Sequence, residues 1–417
     1  MSAQLIEIEV RFTAGPDTSY TVGALVERRG RIFFEYSSAW IQRNLELSPF
    51  HLPVRPGLFE HRNREFGPLF GLFDDSLPDG WGLLLMDHHF RKLGRDPASL
   101  SPLDRLLYLG HRTMGALTYH PPAVPRNSHN ALLDLQELAR QSQEIYSGKT
   151  IEVLPLLLRA GGSPGGARPK VLVGYNPETK VVISGEDDLP VDFEPWIVKF
   201  AAREDALDAG PIEYAYSLMA RAAGIEMPET RLFTTEQGNS FFGVKRFDRK
   251  PGNRRLHIHT FGNLIQANFR IPACDYGDLL KVTTLLTRKH ADLLRAFRFM
   301  VFNVCGRNRD DHVKNFSFLL DDQTGEWTLA PAYDLTFAAG PGGEHTTSIA
   351  GEGRTPTRKH LHQLADQHGV SSTQADEIIS EVAASVHRWK ELAAEAGVSQ
   401  KKITEISSKL QAVDLNE

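Results

Sequence analysis

The chain has 417 residues, of which 41% are hydrophobic and 24% are charged, and this is the composition of an ordinary folded globular protein. The net charge of −5 provides no global positive field that would draw the chain to nucleic acid or to a membrane surface. Two cysteines exclude a disulfide framework, and no apolar run approaches the length of a membrane span, so we expect a cytoplasmic protein with no membrane partner.

The first part of the chain predicts a small β-rich unit. Short alternating runs at 6–12 and 30–36 indicate strands, and turn signals lie between them. The Pro- and Asn-rich segment 121–130 indicates a boundary. We therefore place a first domain at residues 1–122.

A glycine-rich stretch follows, with four glycines within positions 161–166, just before a predicted strand. Glycines before a strand allow backbone N–H groups to approach phosphate oxygens. A flexible surface loop explains the stretch equally well, because it matches neither of the common phosphate-loop fingerprints. The order of motifs along the chain favours a phosphate site, which we assign to Gly165, Gly166, Ala167 and Lys170.

The apolar run 195–200 predicts a strand that carries one lysine, Lys199, and a helix follows that begins near Glu213. A lysine on an apolar strand needs a negative partner or must extend to solvent. Kinases hold nucleotide phosphates with a strand lysine and a helix glutamate in this order. The alternatives are an edge-strand lysine and a solvated glutamate favoured by the helix dipole.

A predicted hairpin at 230–247 ends in Lys245, Arg246 and Phe247. In a kinase, the strand at this point enters the hinge between two lobes, where the nucleotide base is bound and covered by an apolar side chain. Phe247 is the candidate cover, although a lone aromatic side chain is more often part of a core.

The most informative spacing lies between Gly306 and Asn315, where Asp310 precedes Asn315 by five positions. This is the spacing of the kinase catalytic loop, in which the aspartate orients the acceptor hydroxyl and the asparagine holds magnesium. A predicted hairpin then leads to Asp334, the candidate for the other magnesium ligand. Taken alone, Asp310 and Asn315 would be explained as ordinary turn residues.

Helices dominate from about residue 252 onward, after a β-rich first half. This order predicts an α+β fold of two lobes with a cleft between them. We place a kinase N-lobe at residues 123–250 and a helical, all-α C-lobe at residues 251–417. The candidate residues lie at the division between the lobes.

These motifs, in this order, resemble the HipA-like serine/threonine kinases. The resemblance covers most of the chain and rests on the segments Ser163 to Lys170, Trp196 to Lys199, Glu213, Val244 to Asp248, Asp310 to Ser317 and Pro331 to Leu335. Three further short segments, Val22 to Leu25, Leu47 to Pro49 and Leu77 to Gly80, resemble the extra N-terminal subdomain of that family.

The resemblance implies a protein-kinase-like fold with an extra β-rich N-terminal subdomain. It implies that the protein uses ATP and Mg²⁺, that His312 and Lys314 join the ATP site, and that Ser163 can be autophosphorylated. A phosphate there would add about −1.5 to −2 charge where a nucleotide phosphate should lie, so autophosphorylation would inactivate the site.

The resemblance also implies a biological role. It implies the toxin of a type II toxin-antitoxin pair, which phosphorylates a serine or threonine of a translation protein such as an aminoacyl-tRNA synthetase. It implies a small helix-turn-helix antitoxin of the HipB type, through which the complex would reach operator DNA. A small-molecule kinase of the same fold and a non-catalytic corepressor component are the alternatives.

Overall fold

The computed structural model describes residues 5–124, 130–148, 155–160, 165–202 and 207–411. In chain order they form an N-terminal subdomain, a sheet-based lobe and a mostly helical lobe, which confirms the predicted two-lobed α+β fold. Ser163, the predicted site of autophosphorylation, lies outside the described residues.

The N-terminal subdomain consists of an antiparallel sheet and short helices. Its elements are β1 (Leu5–Gly15), β2 (Thr18–Arg28), β3 (Arg31–Tyr36), α1 (Ser38–Arg43), β4 (Leu58–Glu60), α2 (Gly71–Asp74), α3 (Gly80–Lys92), α4 (Pro102–Leu109) and β5 (Leu117–His120). The strand order is β4-β3-β2-β1-β5. Alternation along β1 buries Ile8, Val10 and Phe12 on one face, as the period-2 pattern predicts.

The second unit is a five-stranded antiparallel sheet with a helix packed on it. Its elements are α5 (Leu135–Tyr146), α6 (Pro155–Ala160), β6 (Lys170–Tyr175), β7 (Val182–Ser184), β8 (Glu194–Lys199), α7 (Ala209–Ala222), β9 (Thr230–Thr234) and β10 (Ser240–Lys245). The order β7-β6-β8-β10-β9 places β8 at the centre. Helix α7 begins at Ala209, so Glu213 lies one turn inside the helix rather than at its start.

The third unit is helical apart from short strands. Its elements are β11 (Arg249–Lys250), β12 (Arg254–Arg255), β13 (His257–Thr260), α8 (Phe261–Leu264), α9 (Tyr276–Thr287), α10 (His290–Cys305), β14 (Ser317–Leu320), β15 (Trp327–Leu329), α11 (Arg358–Gln367), α12 (Ser372–His387), α13 (Trp389–Glu395) and α14 (Gln400–Leu410). The predicted hairpin is β14 and β15. Strand β13 pairs with β14, so this lobe carries a three-stranded sheet among its helices, and the prediction that it is all-α is wrong.

The N-terminal subdomain contributes to two hydrophobic cores. Its sheet joins the core of the helical lobe, in which Phe34 and Phe73 are fully buried with Phe297. The Trp81 side chain of helix α3 is instead buried in the core of the sheet lobe, which also contains Trp196. The subdomain therefore packs against both lobes. None of the helices within the described ranges is long and apolar enough to cross a membrane.

Candidate active site

Lys199 lies between two carboxylates. It is the last residue of β8, and α7 packs against the neighbouring strands of the same sheet. The Lys199 ammonium donates hydrogen bonds to the carboxylates of Glu213 and Asp334. Burial by itself lowers the pKa of Lys199, but the two carboxylates outweigh burial and the pKa is raised. Lys199 is therefore held as a cation that joins the sheet lobe to the helical lobe.

Asp334 follows β15 and has a φ of 54°, in the left-handed region that Asp tolerates better than most residues. Burial raises its pKa, but Lys199 and Lys170 together hold the pKa well below the ordinary aspartate value. The side chain is therefore a carboxylate at neutral pH. Its contact with Lys199 crosses the gap between the two lobes.

Lys170 is the first residue of β6 and lies directly opposite Lys199 in the pairing of β6 with β8. Directly opposed residues of paired strands project to the same face of a sheet, so both lysines face the cleft. The Lys170 Nζ donates to the carbonyl oxygen of Gly165 at 2.5 Å. Burial lowers the pKa of Lys170 and the neighbouring Lys199 adds to the shift, whereas the Asp334 carboxylate opposes it, as a bound anion would.

Asp310 and Asn315 belong to the loop that follows α10. The Asn315 Nδ2 donates to the backbone carbonyl oxygen of Asp310 at 2.6 Å, which leaves the Asn315 Oδ1 as an acceptor or metal ligand. The Asp310 side chain is exposed. Reduced hydration raises its pKa, nearby His312 opposes the shift, and Asp334 adds to it.

His312 and Lys314 lie in the same loop. The Lys314 Nζ is 3.2 Å from the Asp74 Oδ2 and 4.0 Å from the Asp79 Oδ2. Burial lowers the pKa of Lys314, but the nearby acidic side chains outweigh it and raise the pKa. The His312 ring lies 5.5 Å from the Phe269 ring, measured between centroids.

The three residues predicted at the hinge have different environments. The Lys245 Nζ contacts the Glu194 Oε1 at 2.5 Å, while the buried Arg246 guanidinium makes two hydrogen bonds to Asp248 at 2.8 and 2.9 Å. Phe247 is half-buried, and its ring centroid lies 5.7 Å from that of Tyr333. Phe247 is therefore the hinge side chain best placed to cover a planar ligand.

Most of these residues line one cavity between the lobes. Its lining includes Gly165, Gly166, Lys170, Lys199, Lys245, Arg246, Phe247, His312, Lys314, Asn315 and Asp334. Glu213 is connected to the cavity through Lys199, and Asp310 through the amide of Asn315. Ala167 is exposed and is not among the residues that line the cavity.

Three residues that the sequence motifs did not assign have defined contacts here. Asp311 is fully buried and accepts a hydrogen bond from the Tyr276 hydroxyl at 2.8 Å. The Tyr333 hydroxyl donates to the carbonyl oxygen of Lys314 at 2.7 Å. Asp79 accepts a hydrogen bond from the N–H of Gly166. The only sequence signal for Asp79 and Tyr333 is their place in the motifs that resemble the HipA-like family.

The cavity contains side chains of the types that can bind a nucleotide phosphate and a metal ion. Lys170 and Lys199 supply positive charge, while Asn315 and Asp334 supply the oxygen ligands that Mg²⁺ prefers. Two lobes with a lysine-glutamate pair and an aspartate-asparagine loop at their junction define a kinase-like protein.

Family models identify the particular kind of kinase-like protein. Residues 162–390 match the HipA-like C-terminal domain, and residues 18–120 match the HipA N-terminal domain. The chain belongs to the HipA-like family.

Two relatives agree with the kinase-like character of the chain, and one solved structure shares its fold. The protein Y4mE of Sinorhizobium fredii is 29% identical over 329 residues, covering 74% of this chain and 73% of that protein. Y4dM of the same organism is 26% identical over 337 residues, with coverage of 73% and 72%. Both carry the word kinase in their names.

The structure of the Shewanella oneidensis MR-1 HipA, HipB and operator DNA complex matches with a TM-score of 0.73 at 16% identity, covering 97% of this chain and 96% of that chain. At that identity, the likeness shows a shared fold.

Proposed function

We propose that this protein is an ATP- and Mg²⁺-dependent serine/threonine protein kinase. The observation that carries the proposal is the Lys199 ammonium, which contacts Glu213 and Asp334 at once. Kinases need the strand lysine paired with the helix glutamate, and a metal-binding aspartate in place beside them. Here the Lys199 ammonium contacts both carboxylates within the cleft between the lobes.

Each residue has a defined task in this proposal. Lys170 and Lys199 bind phosphate oxygens, with Glu213 orienting Lys199. Asn315 and Asp334 hold Mg²⁺, which supplies charge neutralisation on the phosphates. Asp310 orients the acceptor hydroxyl and accepts its proton. Phe247 covers the nucleotide base, and six further predicted residues line the cavity around the nucleotide: Gly165, Gly166, Lys245, Arg246, His312 and Lys314. Ala167 lies outside this lining.

The test compares phosphate transfer by three forms of the full chain. Wild type, Asp310→Ala and Asp366→Ala are incubated with labelled ATP and a bacterial lysate. Asp366 is an exposed aspartate on α11 and serves as the matched control. We expect label on protein from wild type and Asp366→Ala, and none from Asp310→Ala. Equal labelling by all three would reject the role of Asp310, whereas label found only on small molecules would favour the small-molecule kinase.

We further propose that the protein is the toxin of a toxin-antitoxin pair. The solved Shewanella complex contains HipA, HipB and operator DNA, so a helix-turn-helix antitoxin that reaches DNA is the partner that the shared fold supports. The proposed substrate is a translation protein such as an aminoacyl-tRNA synthetase. Phosphoproteomics after brief induction of wild type and Asp310→Ala identifies the target. Growth arrest by both forms would contradict a catalytic toxin.

Autophosphorylation of Ser163 belongs to the same proposal. A phosphate on Ser163 would add negative charge next to the glycines that approach the nucleotide phosphates. Mass spectrometry of the purified protein after incubation with ATP tests this, with Ser163→Ala as the control. We expect phosphorylated wild type to lose transfer activity that Ser163→Ala retains.

A further inference from the structure

The start of helix α3, which belongs to the N-terminal subdomain, makes hydrogen bonds to Gly166 of the glycine-rich loop. Asp79 accepts the N–H of Gly166, and the Trp81 N–H donates to the Gly166 carbonyl oxygen at 3.0 Å. The indole Nε1 of Trp81 also donates to the carbonyl oxygen of Lys170 at 3.1 Å. Both backbone polar groups of Gly166 are therefore bonded to the N-terminal subdomain.

The residues just before Asp79 bond to the helical lobe. Asp74 accepts a hydrogen bond from the Asn263 Nδ2 at 3.0 Å and from the Lys314 Nζ at 3.2 Å. Asp75 accepts hydrogen bonds from the N–H and the hydroxyl of Thr260, at 2.8 and 2.7 Å. Residues 74–81 therefore form an interlobe segment, which is bonded to the helical lobe at one end and to the glycine-rich loop at the other.

Close packing adds to these bonds. Gly80 has a φ of 46°, and a Cβ built on it would lie 2.7 Å from the Cα of Ala167 and from the carbonyl oxygen of Gly166. Backbone atoms cannot move away from such a contact without moving the loop. Trp81, one position later, is 1% exposed within the core of the sheet lobe. The interlobe segment is therefore rigidly attached where it contacts the loop.

We infer that Asp79 is a positioning residue that holds the glycine-rich loop in its nucleotide-binding position. The inference rests on the proposed function, since it assigns to the N-terminal subdomain a part in building the nucleotide site. A loop that is already ordered loses less conformational entropy when the nucleotide binds, so its affinity is higher. The second Asp79 oxygen lies 4.0 Å from the Lys314 Nζ, so this carboxylate also forms an ion pair with the loop that contains Asp310 and Asn315.

The first experiment measures binding of a fluorescent ATP analogue, with Mg²⁺, to the full chain. We expect Asp79→Ala to weaken binding about tenfold, the loss expected for a hydrogen bond to a charged group. Asp79→Asn keeps an acceptor oxygen of the same geometry and should therefore lose less affinity than Asp79→Ala. Asp17→Ala alters an exposed aspartate in the turn between β1 and β2 and should bind as wild type does.

The outcomes separate this inference from the proposed function. Wild type that binds no ATP analogue would overturn both. Wild-type binding that Asp79→Ala leaves unchanged would overturn only the positioning role. Tighter binding by Asp79→Ala would also overturn it, because the carboxylate would then compete with phosphate for the Gly166 N–H.

Hydrogen exchange without nucleotide gives a readout that does not depend on activity. In the peptide 165–175, Asp79→Ala should exchange faster than wild type at the Gly166 amide, because that N–H loses its partner. Asp17→Ala should not change the exchange rate of this peptide. Equal exchange in all three proteins would contradict the inference.

A pair of glycine substitutions tests the same contact without touching Asp79. Gly80→Ala and Gly94→Ala both place a Cβ at a positive φ, 46° and 73°, at the two ends of α3. Only the Cβ of Gly80→Ala meets the loop backbone, whereas nothing lies within 4 Å of the Cβ of Gly94→Ala. We expect Gly80→Ala to weaken nucleotide binding and Gly94→Ala to retain it. Equal affinities in the two variants would overturn the positioning role.

Discussion

Asp310 and Asp311 are adjacent in the chain but have opposite environments. The Asp310 side chain is exposed, whereas the Asp311 side chain is fully buried. Asp311 accepts hydrogen bonds from His345 Nδ1 at 2.7 Å and from the Thr346 N–H at 2.8 Å, in addition to Tyr276. In the proposed mechanism the exposed Asp310 approaches the hydroxyl that receives the phosphate, while the buried Asp311 stabilises the loop that carries both residues.

Substitutions at the two aspartates should therefore separate activity from stability. We expect Asp310→Ala to abolish phosphate transfer with little change in the unfolding free energy, because an exposed carboxylate contributes little packing. Asp311→Ala should cost about 3 kcal/mol or more, because it leaves several buried donors without an acceptor. Thermal and urea denaturation of both variants measure this difference. An Asp311→Ala protein as stable as Asp310→Ala would contradict the structural role of Asp311.

The pH dependence of transfer should depend on Asp310 and His312. In the proposed mechanism transfer requires the Asp310 carboxylate, and its raised pKa should move the acidic limb of the rate profile to higher pH than an ordinary aspartate would give. His312 opposes that shift, because it lowers the pKa of Asp310. His312→Asn should therefore move the acidic limb to still higher pH, when kcat is measured at saturating ATP. His387→Asn, an exposed histidine on α12, is the control, and coincident profiles would contradict the coupling.

Lys199→Met should remove activity and weaken the fold most strongly at neutral pH. Because Asp334 has a folded pKa below its unfolded value, its stabilising contribution is present above the unfolded pKa and is lost as pH falls through the folded pKa. The difference in unfolding free energy between wild type and Lys199→Met should therefore stay nearly constant from about pH 7 to about pH 5 and shrink as the pH falls below about 4. Urea denaturation across this range measures the difference. Lys281→Met, at an exposed position on α9, should match wild type throughout.

Neighbouring hinge substitutions should have different effects. We expect Phe247→Ala to raise the KM for ATP about threefold to tenfold with little loss of stability, because Phe247 is half-buried in the cavity. Arg246→Met should instead cost about 3 kcal/mol of stability, because it breaks a buried pair with Asp248.

Lys245→Ala is the third member of the hinge series. Its ammonium is paired with Glu194, so we expect its KM for ATP to remain near that of wild type. Steady-state kinetics and thermal melts of the three variants check these assignments. A large rise in the KM for ATP of Lys245→Ala would show instead that the Lys245 ammonium contacts the bound nucleotide.

Local patterns in the sequence predicted many of the elements. The alternation in β1, the lone lysine on β8 and the hairpin of β14 and β15 follow from side-chain periodicity and turn chemistry, which act over a few residues. The start of α7 was misplaced by one turn, because Gly210 and Pro211 obscured its beginning. Strand β13 pairs with residues about sixty positions later in the chain, and local patterns do not predict a pairing over that distance.

The sequence by itself determined the chemical groups of the site: Lys199, Glu213, Asp310, Asn315 and Asp334, with spacings that indicate phosphate transfer. Only the tertiary structure decided that one ammonium joins Glu213 and Asp334, that Asp311 is buried, and that Asp79 bonds to Gly166. The physical reason is that motif spacing reflects local backbone geometry. Partners such as Asp79 and Gly166, 87 positions apart, meet only when two hydrophobic cores pack the subdomain against both lobes.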